Sequence, residues 1–217
     1  MLSSFAFICL FSSPSIAKTC QLDIAAPSVT LSIYEGEMKI SNGHSSGQLR
    51  TKFGGHGKKK LGAGWVTRGL TNTGLESQIA VSVTYRQITK NSVCIGVSKV
   101  AARVGYRDFK VYIDRKLKPG SCAYKSTMAH ELNHVAIYRD QLQKYHPLFE
   151  RQLNISAAKL KPIISRSSTL GHKYFLRKLN TGFKRIFKQM NKETDRRQGR
   201  MDTPENYRRE QALCPAR

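Results

Sequence analysis

The five residues His130-Glu131-Leu132-Asn133-His134 constrain this chain more than any other stretch of its 217 residues. They spell H-E-x-x-H. On a helix, two histidines four apart lie on one face, one turn above the other, where both can bind a single Zn2+ while the intervening glutamate reaches water beside the ion. The pattern therefore points to a helix here and, for a catalytic zinc, to a third protein ligand elsewhere in the chain.

The preceding half reads as strands. Alternation of Val29, Leu31 and Ile33 predicts a strand within residues 27–40, with residues 34–37 as a turn into a second short one. Residues 41–69 are rich in Gly, Ser and Lys and hold Gly54-Gly55-His56-Gly57 and Lys58-Lys59-Lys60. That composition predicts a basic loop, since the Lys-Ser/Thr ending of a phosphate-binding loop is missing. Period-two patterns predict strands over residues 79–85, over 93–97 continuing towards Val104, and over 109–113.

After residues 114–120, Ser121 is placed to cap a helix running to about Tyr145, with Pro147 marking its end. A second helical pattern covers residues 148–164. A third covers 170–197, with Phe175, Leu179, Phe183, Ile186, Phe187 and Met190 at helical spacing, and a short helix begins near Thr203-Pro204-Glu205. Strands first and helices after predict an α+β chain: a twisted, mainly antiparallel N-terminal sheet, then the motif helix and C-terminal helices. A β-rich subdomain with the basic loop would span 18–120, and a helical subdomain carrying the motif 121–217.

Residues 1–17 carry no charge and include an apolar run from Phe5 to Phe11, followed by Ser15-Ile16-Ala17. This predicts a secretory signal cleaved near Ala17, hence a secreted or periplasmic protein, and no later segment is apolar enough to span a bilayer. Cleavage removes Cys9 and leaves Cys20, Cys94, Cys122 and Cys214, which predicts two disulfides. Of the three pairings, Cys94 with Cys122 and Cys20 with Cys214 is favoured, stapling a strand to the motif helix and one terminus to the other. No C-x-x-C pair suggests a cysteine metal site.

Lys and Arg number 37 against 14 Asp and Glu, a formal charge of +23. Such a surface concentrates near polyanions. The cations cluster between Lys159 and Arg209, where the aromatic residues fall on the apolar stripe and not among the charges. That arrangement favours anionic envelope polymers over a base-stacking platform, and no specific nucleic-acid partner is expected.

Strands leading directly into an H-E-x-x-H helix resemble the zincin class of metallopeptidases. Tyr112-Ile113-Asp114-Arg115, the stretch Met128-Ala129-His130-Glu131-Leu132-Asn133-His134, and Glu193-Thr194-Asp195 together resemble a bacterial family of secreted zinc-dependent proteases of undefined function, over residues 93–214. The resemblance implies zinc, a protein or peptide substrate, and a substrate-pairing edge at residues 109–113.

A catalytic zinc needs a third protein ligand and one open position. Asp140 lies six residues past His134, but Ile137 stands where a turn-forming glycine would be needed, so a continuing helix swings Asp140 away by about 120°. Glu193 is preferred because it follows Ile186 and Met190 on the apolar stripe of the third helix, and a carboxylate on a buried stripe wants a cation. Glu150, Asp202, Glu205 and Glu210 are further carboxylates in reach, and Asp195 falls off the stripe. Tyr207, His172 and Tyr138 are candidate oxyanion donors, while His44, His56, His146 and His172 read as loop or surface residues rather than ligands. The expectation is a zinc metallopeptidase with His130, His134 and Glu193 as ligands and Glu131 as general base. A non-catalytic, basic zincin-like protein binding anionic envelope polymers or nucleic acid is the alternative, and a zinc amidase acting on cell-wall peptide a third reading.

Overall fold

The structure is a computed structural model that describes residues 20–53 and 66–214. The expected signal segment, His56 and the glycine- and lysine-rich run at 54–60 lie outside those residues. Nine elements follow in order: β1 (Ser28–Tyr34), β2 (Glu37–His44), α1 (Ser46–Phe53), β3 (Gly69–Thr89), β4 (Ser92–Asp114), α2 (Cys122–Ala158), β5 (Ile163–Ser165), α3 (Ser168–Met201) and α4 (Pro204–Ala212). The α+β class expected from the order of patterns is the class observed.

The sheet is organised around β4. One flank of it pairs antiparallel with β3 from Gly69↔Ile113 to Thr89↔Ser92, a long hairpin. The other flank carries three short strands end to end: β5 antiparallel at Val93 to Ile95, β1 parallel from Lys99 to Gly105, and β2 parallel from Asp108 to Asp114. A mainly antiparallel sheet was expected, and the parallel pairing of β1 and β2 overturns it. The reason lies at residues 34–37, where a turn was expected. Tyr34 pairs with Gly105 and Glu37 with Asp108 at an unchanged offset, so the chain runs straight on along β4 instead of reversing.

Other boundaries differ from expectation too, and the helical pattern expected over 148–164 stops at Ala158, with residues 163–165 forming β5. The strands predicted at 93–104 and 109–113 are one strand, because Val97, Val100, Ala102, Val104, Tyr106, Phe109 and Val111 form a single buried row. Part of the expected loop at 41–69 is the end of β2 and the helix α1. Pro147 lies inside α2 and does not end it. An interior proline costs a helix about 3 kcal/mol, but Leu142, Tyr145, Phe149, Leu153 and Ala157 on both sides of it are buried, and burial of each large side chain contributes roughly 1.5–3 kcal/mol.

α2 and α3 form an antiparallel pair laid on the sheet. Their shared core joins Phe149, Phe183 and Phe187, with ring centroids 5.0–6.3 Å apart, to Ile95, Val104 and Phe109 of β4. The disulfides are Cys20–Cys94 and Cys122–Cys214, not the expected pairings. Cys94 lies near the start of β4, beside the N-terminal segment, whereas Cys122 opens α2 at the opposite end of that strand, next to the end of α4. Two disulfides fit an oxidising compartment. No helix among the described residues is long and apolar enough to cross a membrane.

Candidate metal centre

Ser121 caps α2 by accepting a hydrogen bond from the Tyr124 N–H, and two turns later the helix carries His130, Glu131 and His134 into the interior, each at most 8 % exposed. The two imidazoles stand edge to face with centroids 4.7 Å apart. Their Nε2 atoms are 3.0 Å apart, and Asp202 Oδ1 lies 3.3 Å from the first and 3.2 Å from the second. Asp202 caps the C-terminus of α3, and Thr203 immediately caps α4 with Pro204 in its first turn. That abrupt junction turns α4 back over His130.

The outer nitrogens of both rings are occupied. His130 Nδ1 is 2.9 Å from Glu210 Oε2, and His134 Nδ1 meets the Oε1 of Gln198, whose amide donates back to the His134 carbonyl at 3.1 Å. Asn206 holds Glu210 in turn with a 2.9 Å bond from Nδ2 to Oε1. Carboxylate and amide oxygens accept, so each Nδ1 must donate, and both Nε2 lone pairs then face each other and a carboxylate. With the Tyr207 hydroxyl also donating to Asp202, the two Nε2 atoms and Oδ1 still need a proton or a metal ion between them.

Burial opposes charge on His130, but hydrogen bonding to Asp202 and the charges of Glu131 and Glu210 outweigh it and push the imidazole up to about 9. His134 is raised against its burial by the same Asp202 and Glu131. Asp202, despite burial, is held far below the usual carboxylate range by its bonds to His130, His134 and Tyr207.

His130, His134 and Asp202 are the group of side chains, among the described residues, whose ligand atoms come close enough to hold a metal ion. Zinc with ligands at about 2.0–2.1 Å in a tetrahedron separates them by about 3.3 Å, close to the spacing of these three atoms. Imidazole nitrogens whose other N–H is fixed by a carboxylate or carbonyl are typical zinc ligands. The donor set could hold a metal ion.

Glu131 is placed beside this cluster and away from solvent. Its Oε2 accepts a 2.8 Å bond from Thr71 Oγ1, which also donates to the Glu131 carbonyl at 3.1 Å. At the start of β3, Gly69 makes the approach possible. A Cβ there would overlap Glu131 Oε1 and come within 2.8 Å of Glu131 Cγ and Thr127 Cγ2. Burial raises the proton affinity of the Glu131 carboxylate, with the two histidines opposing.

Several expected participants are elsewhere. Glu193 accepts from Lys144 Nζ at 2.5 Å and Tyr145 Oη at 2.9 Å, further along α2 from His134. Because α2 and α3 are antiparallel, the α3 residue level with His134 is Gln198. Glu193, five positions earlier, is too low on the pair, and Asp202 stands in its place. Asp140 is exposed and pairs with Arg197 at 3.2 Å. Glu205 pairs with Arg208. Residues 109–113 are covered on both flanks by β2 and β3, so they are not a substrate edge; the strand that borders Glu131 is β3. Tyr207 is the expected donor that does reach the cluster, with its hydroxyl 2.6 Å from Asp202 Oδ1 and its ring 4.9 Å from that of His130.

No family model, no curated protein and no solved structure matches the chain. Its chemistry is read from these side chains.

Proposed function

We propose that the chain is a secreted or periplasmic zinc-dependent metallopeptidase of zincin type, acting on protein or peptide substrates. The observation that carries this reading is the convergence of His130 Nε2, His134 Nε2 and Asp202 Oδ1 within 3.0–3.3 Å, with Glu131 adjacent on the same helix. Zn2+ bound there supplies Lewis-acid polarisation of a carbonyl and acidifies water.

The rest is done by the chain. Glu131, steadied by Thr71, takes the proton from the attacking water and passes it to the leaving nitrogen. Its buried position, which favours the protonated form, suits it to both halves of that transfer. Glu210 and Gln198 fix the two imidazoles by their Nδ1 atoms. Tyr207, whose hydroxyl already donates to Asp202, is the donor positioned to turn to the developing oxyanion. Substrate enters on the Asp202 flank, where that side chain is 37 % exposed while His130 is 3 % exposed.

Elemental analysis of purified protein, with a peptide-hydrolysis assay on the same preparations, tests the proposal. One zinc per chain is expected in wild type and in Glu131→Gln, with zinc lost in His134→Ala and Asp202→Ala. Hydrolysis should fall by about 10²–10⁴ in Glu131→Gln, the usual contribution of a general base. A wild-type protein that takes up no zinc after refolding with it overturns the reading.

A further inference from the structure

The candidate metal centre lies at the C-terminal end of α3. The rest of that helix shows a second feature. Between Glu150 and Glu193 the sequence contains no Asp or Glu at all, while Arg151, Lys159, Lys161, Arg166, Lys173, Arg177, Lys178, Lys184, Arg185, Lys188 and Lys192 fall within it. All of these cations are exposed.

Along α3 they are sorted by helical geometry. Phe175, Leu179, Phe183 and Met190 are at most 1 % exposed and define the core face. At about 100° per residue, Lys173, Arg177, Lys184, Lys188 and Lys192 fall within an arc of about 100° on the opposite face. The arc extends over roughly 30 Å of the helix. None of the five has an acidic partner within 4.0 Å among the described residues. The charges are therefore not spent internally.

Apolar side chains are exposed at the same end. Leu170 lies on the cationic arc and is 50 % exposed, and Ile164 of β5 is 46 % exposed. A shallow groove is lined by Leu170, Leu176, Lys173 and Arg177, two leucines framed by two cations. The Phe and Tyr rings of α3 are not free to stack on bases. Phe175 and Phe183 are in the core, Phe187 packs on Phe149, and Tyr174 is covered by Lys178 with Nζ 5.5 Å from the ring centroid.

We propose that this face of α3, with the Leu170 end as its apolar contact, docks the protein on an anionic phospholipid bilayer. An acid-free row of cations complements a sheet of headgroup phosphates, and exposed Leu170 and Ile164 reach the acyl boundary, which a nucleic-acid ligand would not reward. The docking face is opposite the core face of α3 and independent of whether the metal centre turns over.

Vesicle co-sedimentation tests it, using phosphatidylcholine vesicles with and without one-third phosphatidylglycerol. Wild type should sediment with the anionic vesicles alone. Replacing Lys173, Arg177, Lys184 and Lys188 together by Gln should weaken partitioning by roughly several hundredfold, since each cation at an anionic surface contributes roughly fivefold. Replacing Lys90, Lys99, Lys118 and Lys125, exposed cations elsewhere, removes the same charge and should cost less than tenfold. Leu170→Ser should weaken the binding that remains at high salt. All these positions are exposed, and circular dichroism melting confirms the fold of each variant. Equal loss in the two quadruple variants overturns the proposal in favour of diffuse charge. Duplex DNA bound more tightly than anionic vesicles, with Leu170→Ser indifferent, overturns it in favour of nucleic acid.

Discussion

Glu210 holds the imidazole of His130 by its Nδ1 at 2.9 Å across 80 positions of sequence. The bond orients a proposed ligand from the far end of the chain. Removing such a partner typically costs tenfold to a hundredfold in metal affinity. Glu210→Ala should show that loss in competition titrations against a zinc chelator, with the fold retained, since α4 buries none of its own side chains. Unchanged affinity would mean that Glu210 does not position His130.

The same lack of buried side chains makes α4 depend on its attachments. Cys122–Cys214 ties the end of α4 to the start of α2, and Ser126 Oγ adds a 3.3 Å bond to the Glu210 carbonyl. Replacing both cysteines by serine should therefore lower zinc affinity along with stability, the latter by up to about 4–5 kcal/mol for a loop of this length. Replacing Cys20 and Cys94, which close the other end of the sheet, should lower the melting temperature and leave zinc affinity within about twofold of wild type once the protein is folded. Equal effects of the two pairs on zinc affinity would contradict a specific link between α4 and the metal centre.

Gly69 predicts a separation of metal binding from turnover. An alanine Cβ there has atoms of Glu131 and Thr127 as its three nearest neighbours, so the Glu131 carboxylate must shift. Gly69→Ala should keep zinc near one per chain while peptide hydrolysis drops by at least about tenfold, as misplacement of a catalytic group does. Full activity in this variant would argue that Glu131 is not held where β3 puts it.

The local chemistry of the motif was legible because it depends on helical period alone: a spacing of four positions puts both histidines on one face wherever the helix goes. The third donor was not, because it depends on how α3 is set against α2. Reading the apolar stripe placed Glu193 on the side of α3 that faces α2, and it does face α2, but an antiparallel pair fixes height as well as side. Asp202 gains its position from the break between α3 and α4, which Thr203-Pro204 announces without saying where the chain then points. Pro147 and residues 34–37 failed for a related reason. Each is a local signal to stop or turn, overridden in one case by the buried row along α2 and in the other by continued pairing with β4. The disulfide pairing depended on which ends of β4 and α2 are neighbours, a property of topology and not of spacing.

Glu193 offers a direct check on that correction. Its carboxylate is held below the ordinary range by the hydrogen bond from Lys144 first and that from Tyr145 second, with Lys144 and Arg196 adding their charge. A carboxyl with a lower value folded than unfolded binds its proton less tightly in the folded state. Its contribution to stability is thus fully present above the unfolded value, about 4.3, and is lost as pH falls through the folded one. Carbon-detected NMR titration should find the Glu193 side chain ionising below an ordinary glutamate, returning towards the ordinary value in Lys144→Gln. Added zinc should leave that titration unmoved while shifting the ring resonances of His130 and His134. A Glu193 signal that moves with zinc in step with the histidines would restore it as the third ligand and remove Asp202 from that place.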